Sequence, residues 1–234
     1  MMMKKILLAI LISSSMSAFA GGRGDDPLLS KVMIDQFELR NTDGDDPVVI
    51  QAQGWVGIDL DKFWVKLDGE RTNGKTEDLE MQFLYSKAIA PYWDMQVGWR
   101  HDTLPGPNRD WLAFGFQGIA PYFFEIDAAA FVGEGGQTAI RLDGEYEILF
   151  TQRLILTPEF EVNLYGKDDV ATGVGSGLSD IELGVRLRYE IKREFAPYIG
   201  VNWTSKYGNT ADLAKSAGED VEDTQFVAGI RAWF

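Results

Sequence analysis

Over residues 138–166 the side chains alternate between apolar and polar on both sides of a short turn, and few folds can use such a segment. Ile140, Leu142, Tyr146, Ile148 and Phe150 are interleaved with Arg141, Asp143, Glu145 and Glu147. After Thr151, Gln152 and Arg153 the pattern resumes, with Leu154, Leu156, Phe160, Val162 and Leu164 on one face and Thr157, Glu159, Glu161 and Asn163 on the other. A period of two is that of a β-strand, whose successive side chains point to opposite faces. Each run is about a dozen residues, roughly twice the usual strand of a soluble sandwich and long enough to cross a bilayer at a tilt. The expectation is a transmembrane β-hairpin; a soluble sandwich, the alternative, is disfavoured by that length.

The start of the chain agrees with export. Lys4 and Lys5 precede the apolar residues 6–12, and small residues end at Ala18-Phe19-Ala20, which is the layout of a secretory signal peptide, residues 1–20. Beyond it, no apolar run approaches the roughly 20 residues of a membrane-crossing helix. A membrane chain of this kind must satisfy its backbone in a closed barrel. The formal charge of −14 becomes −16 once Lys4 and Lys5 are removed, a balance that repels nucleic acid and attracts cations. The absence of cysteine excludes disulfides and thiolate metal sites.

Residues 21–32 read as a flexible periplasmic lead-in, which leaves 33–234 for the barrel domain. Alternation is weakest over residues 33–40, where Asp35 falls among the apolar positions. The whole pattern gives an all-β, antiparallel transmembrane β-barrel of about 12 strands, outer-membrane type, with both termini on one side. Tight turns at residues 60–62, 90–92, 119–121, 151–153 and 192–194 alternate with longer polar loops, among them 72–76, 167–177 and 205–222. Ile89-Ala90-Pro91-Tyr92, Ile119-Ala120-Pro121-Tyr122 and Phe195-Ala196-Pro197-Tyr198 recur at the short turns. Their aromatics, with Phe63, Trp64, Trp93 and Phe123, are expected in a periplasmic interface girdle. Pro158 lacks an N–H for the ladder and predicts a bulge.

If the apolar set faces lipid, parity sends the charged set into the bore. Carboxylates dominate there, from Asp68 and Glu80 through Asp127, Asp143 and Glu145 to Glu159, Glu161 and Glu182, against Lys66, Arg100, Arg141, Arg186, Arg188 and Arg231. With residues 151–153 as the turn, Glu145 pairs with Glu159 and Asp143 with Glu161. The preceding loop is expected to set Asp127 beside Glu145 and Glu125 beside Glu147. Rows of like charge are unfavourable, so a shared proton, an arginine or a bound cation has to offset them. Asp127, Asp143, Glu145, Glu159 and Glu161 are therefore the candidate metal-contacting row. The plainer reading is a structural ion-pair network closed by Arg141, Arg186 and Arg188.

Other chemistry is sparse. His101, the sole histidine, sits at an outer strand end as a solvated residue. Met81 and Met95 share parity with lipid-facing positions, which argues against a thioether ladder for a soft metal ion. The acidic loop at Asp43 to Asp46 reads as solvated rather than as a calcium site.

Several runs resemble the copper resistance protein B family: Leu84-Tyr85-Ser86-Lys87-Ala88-Ile89-Ala90-Pro91-Tyr92-Trp93-Asp94, Ala130-Phe131-Val132-Gly133-Glu134-Gly135-Gly136, Asn163-Leu164-Tyr165-Gly166-Lys167-Asp168-Asp169 and the closing Ala232-Trp233-Phe234. The resemblance covers residues 53–234. It implies a barrel in the cell outer membrane of a Gram-negative bacterium, in contact with outer-membrane lipid. It also implies that copper is bound, sequestered or exported there, alongside a periplasmic multicopper oxidase. A Met- and His-rich segment that many members carry ahead of the barrel is replaced here by the short lead-in. Two other classes stand beside this reading. A lipase-like barrel enzyme would have to rely on His101, and a structural or adhesive barrel would act through its loops.

Overall fold

The computed structural model describes residues 26–234 except Asp43 and Pro105; the expected signal peptide lies outside the described residues. The strands are β1 (Leu29–Asn41), β2 (Val48–Gly57), β3 (Asp61–Thr72), β4 (Lys75–Ala90), β5 (Trp93–Leu104), β6 (Arg109–Ala120) and β7 (Phe124–Gly133). They continue as β8 (Thr138–Glu145), β9 (Ile148–Leu149), β10 (Leu154–Tyr165), β11 (Gly177–Tyr189), β12 (Phe195–Lys206) and β13 (Glu222–Trp233). Every neighbouring pair is antiparallel, and β1 pairs with β13, so the sheet closes on itself. Both β8 and β9 pair with β10 and form one interrupted stave, giving a 12-stave barrel. Closure extends to the last residue, because Phe234 and Val32 exchange backbone hydrogen bonds of 2.8 and 3.0 Å.

The barrel is inside-out relative to a soluble protein. Leu112, Phe114, Val132, Ile140, Ile199 and Phe226 are exposed on its outer wall, while Glu38, Glu80, Arg100, Arg186 and Asn202 are buried within. An apolar surface this large is stable only against lipid. Both termini and the turns after β2, β4, β6, β9 and β11 share one end, the periplasmic one, and the longest connections, after β10 and β12, are at the other.

Six expectations need correction. The first strand starts at Leu29, and Leu29 to Val32 pair with residues 54–57 of β2, so part of the expected lead-in is barrel wall. The expected loop 72–76 is instead a two-residue turn: Thr72 pairs with Lys75 across Asn73 and Gly74, both at positive φ (52° and 79°). Asn-Gly is the dipeptide that best supports this geometry. Pro158 adds no residue to its strand, because Glu145 pairs with Glu159 and Ile148 with Leu156 in one unbroken register; the stave opposite simply breaks between β8 and β9. Trp64 and Tyr198 are not in the girdle: both lie buried in the bore. The 205–222 loop carries a helix, α1 (Gly208–Ala217), ended by Gly218 in the left-handed region. The sixth concerns register inside the bore.

Candidate functional site in the barrel interior

Glu145 pairs with Glu159 and Asp143 with Glu161, as the alternation requires. Asp127, however, pairs with Asp143 and Glu125 with Glu145, two residues away from the expected partners. The cause is the turn between β7 and β8. Residues Glu134–Gly136 form a 3-10 turn, Gly133 donates to the Gln137 carbonyl at 2.9 Å, and Val132 rather than Glu134 closes against Thr138.

The corrected register lengthens the acidic row. Asp94 pairs with Gln117, Gln117 with Asp127, Asp127 with Asp143, Asp143 with Glu161, Glu161 with Glu182, Glu182 with Thr204 and Thr204 with Asp223. Asp94 is at the periplasmic end of β5, whereas Asp223 is at the outer end of β13. Because tilted strands stagger around a barrel, a line of cross-strand neighbours climbs its wall. Polar side chains therefore mark a continuous ramp from one end of the bore to the other, carboxylates at every station but Gln117 and Thr204, with Glu125, Glu145 and Glu159 as a shorter parallel row beneath it.

Cations on neighbouring and more distant staves shadow most of these acids. Lys62 lies 3.2 Å from Asp94, Lys66 contacts Asp127, Arg141 lies 3.5 Å from Glu161, and Arg40 is 3.0 Å from Glu182. On the parallel row, Arg231 is 3.4 Å from Glu145, and Arg186 contacts Glu159. Asp143 pairs with no described cation. Among the described residues no group of three His, Asp or Glu side chains is placed to hold a metal ion, so the five candidates form a line rather than a chelate.

A cavity of about 510 Å³ fills the inner half of the bore, from Tyr92 and Ile119 beside the periplasmic turns up to Asp68 and Arg141. Asp127, Asp143, Glu145, Glu159 and Glu161 all line it. Trp64, Leu84, Ala113 and Phe131 line one side of it and are buried together with Trp111, and Glu80 and Arg100 are buried beyond them toward the outer end.

Sequence reasoning missed Glu38 and Arg40. Glu38 accepts from Arg40 at 2.8 Å, from two nitrogens of Arg186 at 2.9 and 3.1 Å, and from the Tyr198 hydroxyl at 3.0 Å. A register shift between Ile34 and Phe37 puts Asp35 and Gln36 both inward and reverses the parity. Phe37 and Leu39 then face lipid while Glu38 and Arg40 face the bore. The alternation of Phe37, Glu38, Leu39 and Arg40 was the available signal, and Asp35 obscured it. Gly229 makes room here, since a Cβ at that position would stand 2.6 Å from the Tyr198 hydroxyl and 2.7 Å from Glu38.

His101 lies on the outward side of β5 with Nδ1 2.7 Å from Asp110, outside the bore. At the outer mouth the 166–176 loop is tied down on both sides. Asp169 accepts from Arg109 Nε at 2.8 Å and from Gln137 at 3.1 Å, and Lys167 donates to the Gly135 carbonyl. Asp168 accepts from the Ser176 amide at 2.6 Å and from Asn209 of α1 at 3.0 Å. The Arg109 hydrogen bond holds the Asp169 carboxyl below the usual aspartate range, and the Ser176 amide does the same for Asp168.

Residues 28–234 match the protein-family model described as copper resistance protein B precursor. Copper resistance protein B of Escherichia coli is 50% identical over 203 residues, covering 87% of this chain and 69% of that protein. The copper resistance protein B homolog of Pseudomonas syringae pv. tomato is 45% identical over 210 residues, covering 90% and 71%. Among solved structures, the NanC porin superposes with a TM-score of 0.58 at 11% identity, covering 87% of this chain and 99% of that one. The KdgM porin superposes with a TM-score of 0.52 at 10% identity, covering 88% and 99%. These two likenesses establish the outer-membrane barrel fold.

Proposed function

The chain belongs to the copper resistance protein B family, and on that premise we propose that it passes copper ions across the Gram-negative outer membrane along its acidic ramp, without catalysing a reaction. The observation that carries this reading is the line from Asp94 through Asp127, Asp143, Glu161 and Glu182 to Asp223, bridged at two steps by Gln117 and Thr204. Conduction needs stations that bind well enough to admit an ion and weakly enough to release it. Single carboxylates spaced one or two strands apart, about 4.8 or about 10 Å, meet that requirement better than a closed chelate would. Oxygen donors also suit divalent copper rather than the monovalent ion, which prefers sulfur. Met81 and Met95, on the outward side of the wall, offer no sulfur to the bore.

A periplasmic multicopper oxidase remains in the proposal as the protein that would meet copper at the inner end. The test is loss of the gene. Cells lacking it should grow poorly at copper concentrations the parent tolerates, and the chain supplied in trans should restore growth. Equal copper tolerance with and without the gene would defeat the reading.

A further inference from the structure

The cavity does not reach the outer mouth, and what blocks it is a specific set of side chains. Glu80 accepts from Arg100 Nη2 at 2.8 Å and from both terminal nitrogens of Arg141 at 2.9 and 3.0 Å. Arg100 is fixed from its other side by Asp102, at 2.7 and 3.0 Å, and the Trp111 indole N–H also donates to Asp102, at 2.8 Å. The Arg100 guanidinium stands 4.7 Å from the centre of the Phe131 ring and 5.7 Å from that of Trp111, and Arg141 stands 5.9 Å from Phe131. Strands β4 to β8 all contribute to this layer, and it is dry: Phe131 is 1% exposed, Glu80 4% and Arg100 5%. The wall across from it, on β1, β11 and β12, is closed by Glu38, Arg40, Arg186 and Asn202.

The two clusters differ in how they can move. Glu38 is held by Arg40, Arg186 and Tyr198 against Gly229, with no face on the cavity. Arg141, in contrast, lines the cavity and touches the ramp through Glu161 at 3.5 Å while its other nitrogens grip Glu80. A cation arriving at Glu161 repels Arg141 in a confined, poorly screened space and competes for its carboxylate.

We propose that Arg141, clamped with Arg100 on Glu80, is the gate of the bore, and that a divalent cation on the ramp opens it by displacing Arg141 from Glu161. This rests on the reading of the ramp as a cation route, which adds the passenger to the gate. Energetically the clamp suits a gate, because a dry layer in which Arg100 and Arg141 are locked onto Glu80 and Asp102 leaves a cation no hydrated path and no free carboxylate while closed, and flexible arginine side chains rather than backbone have to move.

Planar bilayers containing the mature chain test it, with potassium chloride as the probe. The wild-type protein should conduct potassium weakly. Arg141→Ala should raise the conductance severalfold with cation selectivity, and Arg100→Ala should do the same. Arg193→Ala, on an exposed periplasmic turn, should conduct like wild type. Assembly is checked by heat-modifiable gel mobility, and if Arg141→Ala does not assemble, Arg141→Gln is measured in its place. Wild-type conductance in assembled Arg141 and Arg100 variants would overturn the gate, as would a wild-type channel already as open as the variants. Potassium opening in the variants, combined with no copper passage by any form, would keep the gate and remove the copper reading instead.

Discussion

Glu38 shows how much of this interior depends on single charges. Its side chain is fully buried, yet it receives hydrogen bonds from two arginines and a tyrosine, which offset the cost of removing it from water. Glu38→Ala leaves Arg40 and Arg186 without that partner, and the expected loss is about 3–5 kcal/mol, as for other broken buried pairs. Urea unfolding in lipid vesicles reads it, and Glu38→Gln should lose less because it keeps an acceptor. A loss under about 1 kcal/mol for Glu38→Ala would show that the cluster is not structural. This residue also marks where sequence reading stopped. Parity alone put Asp127, Asp143, Glu145, Glu159 and Glu161 in the bore, because the strands carrying them have no bulge between the apolar positions that define their face. In β1 one extra residue near Asp35 exchanges the two faces, and no local propensity announces it.

At the level of elements, alternation located the staves to within a few residues, whereas connections were read less well. The Asn73-Gly74 dipeptide marks the turn, but the polar residues around it resemble solvated chain and read as a loop. Gly74 sits at φ 79°, so Gly74→Val should cost about 1–2 kcal/mol in the same unfolding assay, the penalty for an L side chain in the left-handed region. Helix α1 was hidden for a different reason. It has little apolar face and is held by Thr210, whose hydroxyl accepts from the Gly175 amide at 2.9 Å and donates to Ser179 Oγ at 3.0 Å. The loop it supports has a pH dependence with a definite sign. Both Asp168 and Asp169 titrate below the ordinary range in the folded loop, so their contribution is present above the unfolded value of about 3.9 and is lost as pH falls through the lower folded value. Amide exchange at Gly175 and Ser176 should stay slow from neutral pH to about 5 and quicken relative to the barrel strands only below about 3.9. Release at pH 6 would contradict the assigned partners.

For the whole molecule, the barrel converts a one-dimensional pattern into a path. No stretch of sequence contains the ramp: its carboxylates come from β5, β7, β8, β10, β11 and β13, and they line up because each stave is staggered on the last. That is why the acidic character of the bore was readable from alternation while its course from Asp94 to Asp223 was not; one turn misread at residues 134–136 displaced Asp127 and broke the line. Asp143 is a station on that line that pairs with no described cation, and it lies next to Glu161, the acid that touches the gate arginine. The decisive measurement is copper(II) entry into proteoliposomes containing a trapped copper-sensitive dye, comparing wild type with Asp143→Asn/Glu161→Gln. Copper entry through the wild-type barrel, lost severalfold in the assembled double variant, is the predicted result. Equal copper entry in the two, or none through either, would contradict the account.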